Sequence, residues 1–253
     1  MYRKLILDNG IRLVTERIPT LKSVTIGIWV NAGSRDELPA QAGYSHFIEH
    51  MFFKGTTTRS ATAISREIDA LGGEMNAFTT RESTTFYVKV LDQHVSQGLA
   101  LLSDIFHHSR FNFKEIEKEK QVIIEEIRMV QDDPEDLVQD LHTNQVMASH
   151  PLGRPILGRE SVIRAVRRKD LLDYVDRHYC PTDVVIAVAG NFEARWLERT
   201  IAREFGRSQG RGQTDAGSAA TRRPPVICGG LLLQRKPLEQ VHVCIGMKGL
   251  AAG

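Results

Sequence analysis

Along the first thirty residues apolar side chains recur at close to every second position. "KLILDNGIRLVTE" reads as two short strands about an Asn9-Gly10 turn, and "SVTIGIWVNAG" as a β-branched strand ending in a turn. The period then lengthens. Residues 43–53 and 62–71 read as helices, the second stopped by Gly72-Gly73, before "STTFYVKVL" returns to strand alternation. Longer helical segments follow at 94–108, 114–131 and 134–148, then a shorter one at 169–177 ahead of the strand "DVVIAVAGN". A hairpin at the start, with strands later mixed among helix pairs, predicts an α+β fold. Its sheet should be mixed and largely antiparallel, with helices packed on one face.

From residue 206 onward the pattern fails. "GRSQGRGQTDAGSAATRRPP" cannot pack a core and reads as a linker, and the apolar runs after it are too short for a domain. The predicted organisation is a domain at 1–206, a linker at 207–225 and the opening of a second domain at 226–253. A chain of 253 residues with 42% hydrophobic content agrees, being able to bury one good core and part of another.

Charge and cysteine usage remove several classes. Thirty-three basic residues face thirty-one acidic ones, a formal net charge of +2, and the two signs are interleaved, which makes no case for nucleic acid or a membrane surface. Cys180, Cys228 and Cys244 are an odd number, far apart and without metal-site spacing, so free thiols and a reducing, cytoplasmic setting are expected. No leader-like apolar run precedes Asp8-Asn9-Gly10, and no stretch approaches the roughly 20 apolar residues of a membrane span. The reading is a soluble, unexported chain.

Candidate chemistry starts in "YSHFIEHMFF", where three ionisable side chains interrupt an apolar run. On a helix His46 and His50 stand about 40° apart, and Glu49 about 60° to the other side of His46, so all three share one face opposite Phe47, Ile48 and Phe52. A polar helix face that merely meets water is the competing reading. Against it, histidines at i and i+4 place imidazole nitrogens on one tetrahedral zinc, and H-x-x-E-H is the inverted order of a zinc hydrolase signature.

A catalytic zinc takes three protein ligands and leaves one position for water, so a third ligand is required. "KEIEKEKQVIIEEIRMVQ" offers carboxylates beside an apolar stripe of Ile116, Ile123, Ile127 and Val130. Glu119 and Glu126 fall on the flank of that stripe; Glu117 and Glu125 point away. An ordinary charge network along the helix, Glu115 with Lys118 and Glu119 with Lys120, is the competing reading. Beside the H-x-x-E-H helix, the need for an oxygen ligand favours Glu126, with Glu119 a group that orients a ligand or holds a proton.

"HFIEHMFFKGT", "LGGEMNAFTTRESTTFYVKV", "EKEKQVIIEEI", "HPLGRPILG" and "VVIAVAGNF", in that order over residues 3–205, resemble the landmarks of the pitrilysin and mitochondrial processing peptidase family of inverted-motif zinc peptidases. The resemblance implies that His46 and His50 bind zinc and that Glu49 activates water. It also implies a completing glutamate about 76 residues beyond the second histidine, and here 126 − 50 = 76, which is Glu126. Glu119 becomes an accessory acid. Asn76, Ala77, Phe78 and Thr79 read on their own as a turn leading into half-buried sheet. The resemblance makes them an edge strand for extended substrate, whose unpaired backbone groups would hold a peptide with little regard to its sequence.

The expectation is a zinc endopeptidase, one Zn2+ per chain, that hydrolyses extended peptides or presequences; the alternative is a non-catalytic peptide-binding or assembly subunit of the same fold. The resemblance implies a site built between two similar halves, so residues 226–253 look like the start of a second, homologous half cut short. An open site loses orientation and preorganised contacts worth on the order of a thousandfold in rate. Slow peptide cleavage, self-association through apolar surface at 241–250, and rescue by a C-terminal half or partner subunit are therefore expected. His107, His108, His142, His150 and His178 lack partners at ligand spacing, Cys180 has no adjacent base, and "HPLGRPILG" reads as a structural loop.

Overall fold

The computed structural model describes residues 2–148, 150–206 and 222–249. Six strands, β1 (Tyr2–Ile6), β2 (Arg12–Arg17), β3 (Ser23–Val30), β4 (Glu74–Thr79), β5 (Thr84–Leu91) and β6 (Val184–Gly190), form one sheet in the order β1-β2-β6-β3-β5-β4. All neighbours are antiparallel except β2 with β6. The parallel pair exists because β6 arrives late in the chain and inserts between β2 and β3.

Alternation decides which face is covered. On β5, Phe86, Val88 and Val90 are buried while Lys89 and Leu91 are exposed; on β3, Ile26 and Ile28 are buried while Trp29 is exposed. Helices cover the buried face, with α1 (Tyr44–Phe52), α2 (Ala61–Ala70) and α3 (Val95–His108) against the strands and α5 (Pro134–Val146) packed on α4 (Phe113–Asp132); the others among the described residues are α6 (Glu160–Ala165), α7 (Arg168–His178) and α8 (Ala194–Phe205). The α+β expectation thus holds, and α6 and α8 are additions to it. No described helix is both long and apolar enough to cross a membrane.

Helix α1 is anchored in this core. Phe47, Ile48, Met51 and Phe52 are at most 1% exposed, and Phe52 packs 4.6 Å from the Phe86 ring on β5 and 5.7 Å from that of Tyr179. Burying each such side chain contributes about 1.5–3 kcal/mol, so this face is the firm one and the histidines ride on a fixed platform.

Residues 207–221, most of the expected linker, lie outside the described residues. The chain from 222 to 249 has neither helix nor strand and exposes Val241, Val243, Ile245 and Met247. Arg222 fastens its start to the first unit through Asp36, Asn31 and the Glu82 carbonyl.

Candidate metal centre

His46 and His50 project from the polar side of α1 with their Nε2 atoms 3.1 Å apart. From α4, Glu126 brings Oε2 to 3.7 Å from each of them. Among the described residues this is the group whose donor atoms all lie within 4.8 Å of one another. A tetrahedral zinc with bonds of about 2.0–2.1 Å needs donors about 3.3 Å apart, and two imidazoles with one carboxylate are among the donor sets of catalytic zinc. The residues fit the ion. Two turns earlier on α4, Glu119 accepts from His50 Nδ1 at 2.7 Å and pairs with Lys54 Nζ at 2.7 Å, fixing the tautomer that leaves Nε2 free for a metal. His46 Nδ1 is buried with no partner among the described residues.

The electrostatics divide the two histidines. Burial, aided by the neighbouring His50, pushes the His46 pKa down to about 3, so its imidazole is neutral and ready to ligate at ordinary pH. Burial acts against the His50 imidazolium too, but the Glu119 hydrogen bond and the Glu126 and Glu49 charges outweigh it and raise that pKa. Glu119 is held below the usual carboxylate range, its burial overcome by His50 and Lys54.

Glu49 stands beside the cluster without joining it. Burial raises its pKa, the direction a general base needs, while the Thr79 hydroxyl donates to its Oε2 at 2.6 Å. Both line a cavity of about 430 Å3 together with His46, Ala77 and Phe78. Strand β4 is an edge of the sheet: it pairs only with β5, and its other side has no strand among the described residues. Asn76 does not reach into the cavity. Its side-chain oxygen accepts the Ala77 N–H at 2.9 Å, so an edge donor already has an internal occupant.

Several contacts were not legible in the sequence. Lys54 pairs with Glu119, whereas Lys120, the expected neighbour, pairs with Glu117 at 2.8 Å. "HPLGRPILG" is more than a spacer, since Ile156 and Leu157 line the cavity and Arg154 donates to the Glu37 carbonyl. Thr79 was legible as a strand residue but not as the partner of Glu49, because nothing in local spacing links positions 30 apart. The remaining histidines stay away from the cluster: His108 pairs with Asp104 at 3.0 Å, the His178 ring lies tilted 4.2 Å from that of Tyr174, and His150 donates to the Arg223 carbonyl.

Comparison with known proteins gives the family of the chain. Residues 12–160 match the family described as insulinase (peptidase family M16), and residues 165–252 match the peptidase M16 inactive domain. The second match begins inside the sheet-forming unit, which contains β6. An uncharacterized zinc protease of Bacillus subtilis, YmxG, is 42% identical over the whole of this chain and 60% of its own length. Another from Streptomyces coelicolor is 39% identical over 98% of this chain and 55% of its own. The chain therefore spans less than two thirds of the curated relatives it matches. In fold it is similar to a protease from Helicobacter pylori, with a TM-score of 0.80 at 21% identity over 85% of this chain and 52% of that one. It is also similar to the periplasmic protease PqqL of Escherichia coli, with a TM-score of 0.76 at 23% identity over 84% of this chain and 25% of that one. The chain belongs to the insulinase family of peptidases, family M16.

Proposed function

We propose that the chain is the zinc-binding half of an endopeptidase that hydrolyses extended or unstructured peptides. The carrying observation is the convergence of His46, His50 and Glu126 beside Glu49, on a cavity bounded by an open sheet edge. His46, His50 and Glu126 would hold one zinc per chain. Bound zinc supplies Lewis-acid chemistry, polarising the scissile carbonyl and easing deprotonation of water.

The protein's own groups do the rest. Glu49 takes the proton of the attacking water and returns it to the departing amine nitrogen, with its carboxylate steadied by Thr79. Glu119 and Lys54 hold the His50 ring in the ligating tautomer. Ala77, Phe78 and Thr79 offer backbone groups to a peptide lying in extended form, and Asn76 contributes its amide once it releases Ala77. The intact set of ligands and base favours a catalytic over a purely peptide-binding subunit.

In this reading residues 1–206 are the catalytic unit, 207–225 a linker and 226–253 the opening of a homologous second unit. Exposed Val241, Val243, Ile245 and Met247 are then surface for that unit, or for self-association in its place. The three free cysteines favour a reducing compartment, the cytoplasm. The test combines metal analysis with digestion of an unstructured peptide. Wild-type protein should carry about one zinc, lost in His46→Ala, His50→Ala and Glu126→Gln. Glu49→Gln should keep zinc and lose turnover, and addition of the second half should raise a slow basal rate. Full turnover by Glu49→Gln would sink the mechanism.

A further inference from the structure

Both histidines ride on α1, so whatever sets the rotation of that helix sets their approach to Glu126 on α4. The start of α1 has no side-chain cap of its own: the N-cap is Gly43, at φ 98°. Its acceptors come from upstream. Glu37 Oε2 accepts the Gly43 N–H and Oε1 the Ser45 N–H, each at 2.8 Å, and Glu37 is 3% exposed. The bracket is itself held. Arg154 donates to the Glu37 carbonyl, and Ser45 Oγ shares a 2.9 Å hydrogen bond with the buried Tyr174 hydroxyl from α7.

A buried carboxylate is an expensive way to cap a helix, since a local serine or asparagine satisfies the same donors without burying charge. Burial pushes the Glu37 carboxyl up to about 7 against the pull of Ser45, Gly43 and Arg154. What two oxygens on one rigid group add is direction: N–H vectors of residues 43 and 45 are fixed together, and His46 follows immediately. An imidazole nitrogen stands roughly 6 Å from a helix axis, so a rotation of about 10° moves it by about 1 Å. Metal ligation tolerates errors of only about 0.2 Å in bond length.

We propose that Glu37 is a positioning residue for the metal site, its two oxygens fixing the rotation of α1 so that His46 and His50 stay in register with Glu126. The proposal rests on the zinc reading above and adds to it a residue outside the ligand set. In Glu37→Gln one oxygen still accepts, but the amide N–H2 faces the other backbone N–H, so half of the bracket is lost.

The experiment titrates zinc chloride into metal-free wild type and Glu37→Gln, and records visible absorption of both with cobalt chloride in place of zinc. The folded variant should bind zinc roughly tenfold more weakly, the low end for a group acting behind the ligands, with altered cobalt bands. In wild type, zinc should slow hydrogen exchange at the Gly43 and Ser45 amides, because coupling between the two ends of the helix is reciprocal; this holds whether or not the variant folds. A wild type that binds no zinc overturns the metal reading itself. A wild type that binds zinc overturns the proposal alone if Glu37→Gln is merely less heat-stable, with unchanged affinity and cobalt spectrum. Unchanged exchange at both amides on zinc binding overturns it too.

Discussion

Replacing Glu119 by glutamine removes one charge and leaves the shape of the side chain. The carboxylate is 3% exposed and divides its oxygens, one 2.7 Å from His50 Nδ1 and the other 2.7 Å from Lys54 Nζ. Glutamine still offers its oxygen to His50, but its N–H2 then meets the Lys54 ammonium, donor against donor. The Lys54 side chain is 30% exposed and escapes toward water, which limits the loss. Groups behind a metal-binding imidazole are worth about 10–100-fold in affinity, or about 1.4–2.7 kcal/mol. The surviving Nδ1–H···O contact puts Glu119→Gln near tenfold, and Glu119→Ala, which strips His50 of its acceptor, near a hundredfold. A second effect has the opposite pH sense. After burial, which lowers the His50 pKa, the Glu119 hydrogen bond is the largest influence and raises it. Without the charge, protons compete less with zinc in acid, so the wild-type advantage should shrink between pH 7.5 and 6. Competition against a chromophoric chelator reads both quantities. Zinc affinity of Glu119→Gln within twofold of wild type at pH 7.5 would refute the role given to this carboxylate.

Three further expectations follow from other contacts. Thr79→Val should keep its zinc but cleave an unstructured peptide about tenfold more slowly, with Thr79→Ser near wild type; equal rates for all three would show that Glu49 needs no steadying. Gly158 has φ 79°, and a Cβ there would stand 2.1 Å from the Ala42 carbonyl oxygen, so Gly158→Ala should cost more than about 2 kcal/mol in chemical denaturation, and a cost below about 0.5 would contradict that crowding. Glu37 carries a pH signature: its carboxyl rises from 4.5 to about 7 on folding, an interval of 7 − 4.5 = 2.5, or about 3 kcal/mol. Burial makes the fold hold this proton more tightly than the unfolded chain does, so that contribution is complete below pH 4.5 and lost as pH climbs through about 7. Tyr44 and Tyr174, raised by burial, stay neutral over this range. Denaturation of metal-free protein at pH 5 and 8 should show the wild-type advantage over Glu37→Gln falling, and a constant difference counts against it.

Local pattern carried most of the elements because their buried faces repeat at strand or helix spacing. The alternation of Phe86, Val88 and Val90 and the stripe of Ile116, Ile123 and Ile127 are visible in the sequence and buried in the fold. Helix α8 is the instructive omission: its Leu197, Ile201 and Phe205 keep helical spacing, but they are three positions in an otherwise strongly charged segment. The candidate ligands were legible for a similar reason, two on one turn of helix and the third on the flank of an apolar stripe. Glu37, Lys54 and the Thr79–Glu49 contact were not, since their partners lie 6 to 65 residues away and are brought together by packing alone. Strand order was equally hidden, because the insertion of β6 between β2 and β3 leaves no mark on either.

That insertion constrains how the molecule can be made. The β2–β6 pair joins Arg12 to Val185, a separation of 185 − 12 = 173 residues, while His46, His50 and Glu126 all leave the ribosome before β6 does. Until residue 190 emerges, β2 and β3 have an empty lane between them, and pairings this distant form slowly. Synthesis therefore presents the three candidate ligands on a scaffold whose sheet is still unfinished. Proteolysis of stalled nascent chains should find protection of α1 appearing only after Gly190 clears the exit tunnel, and earlier protection would mean that the ligand helices dock without their central strand.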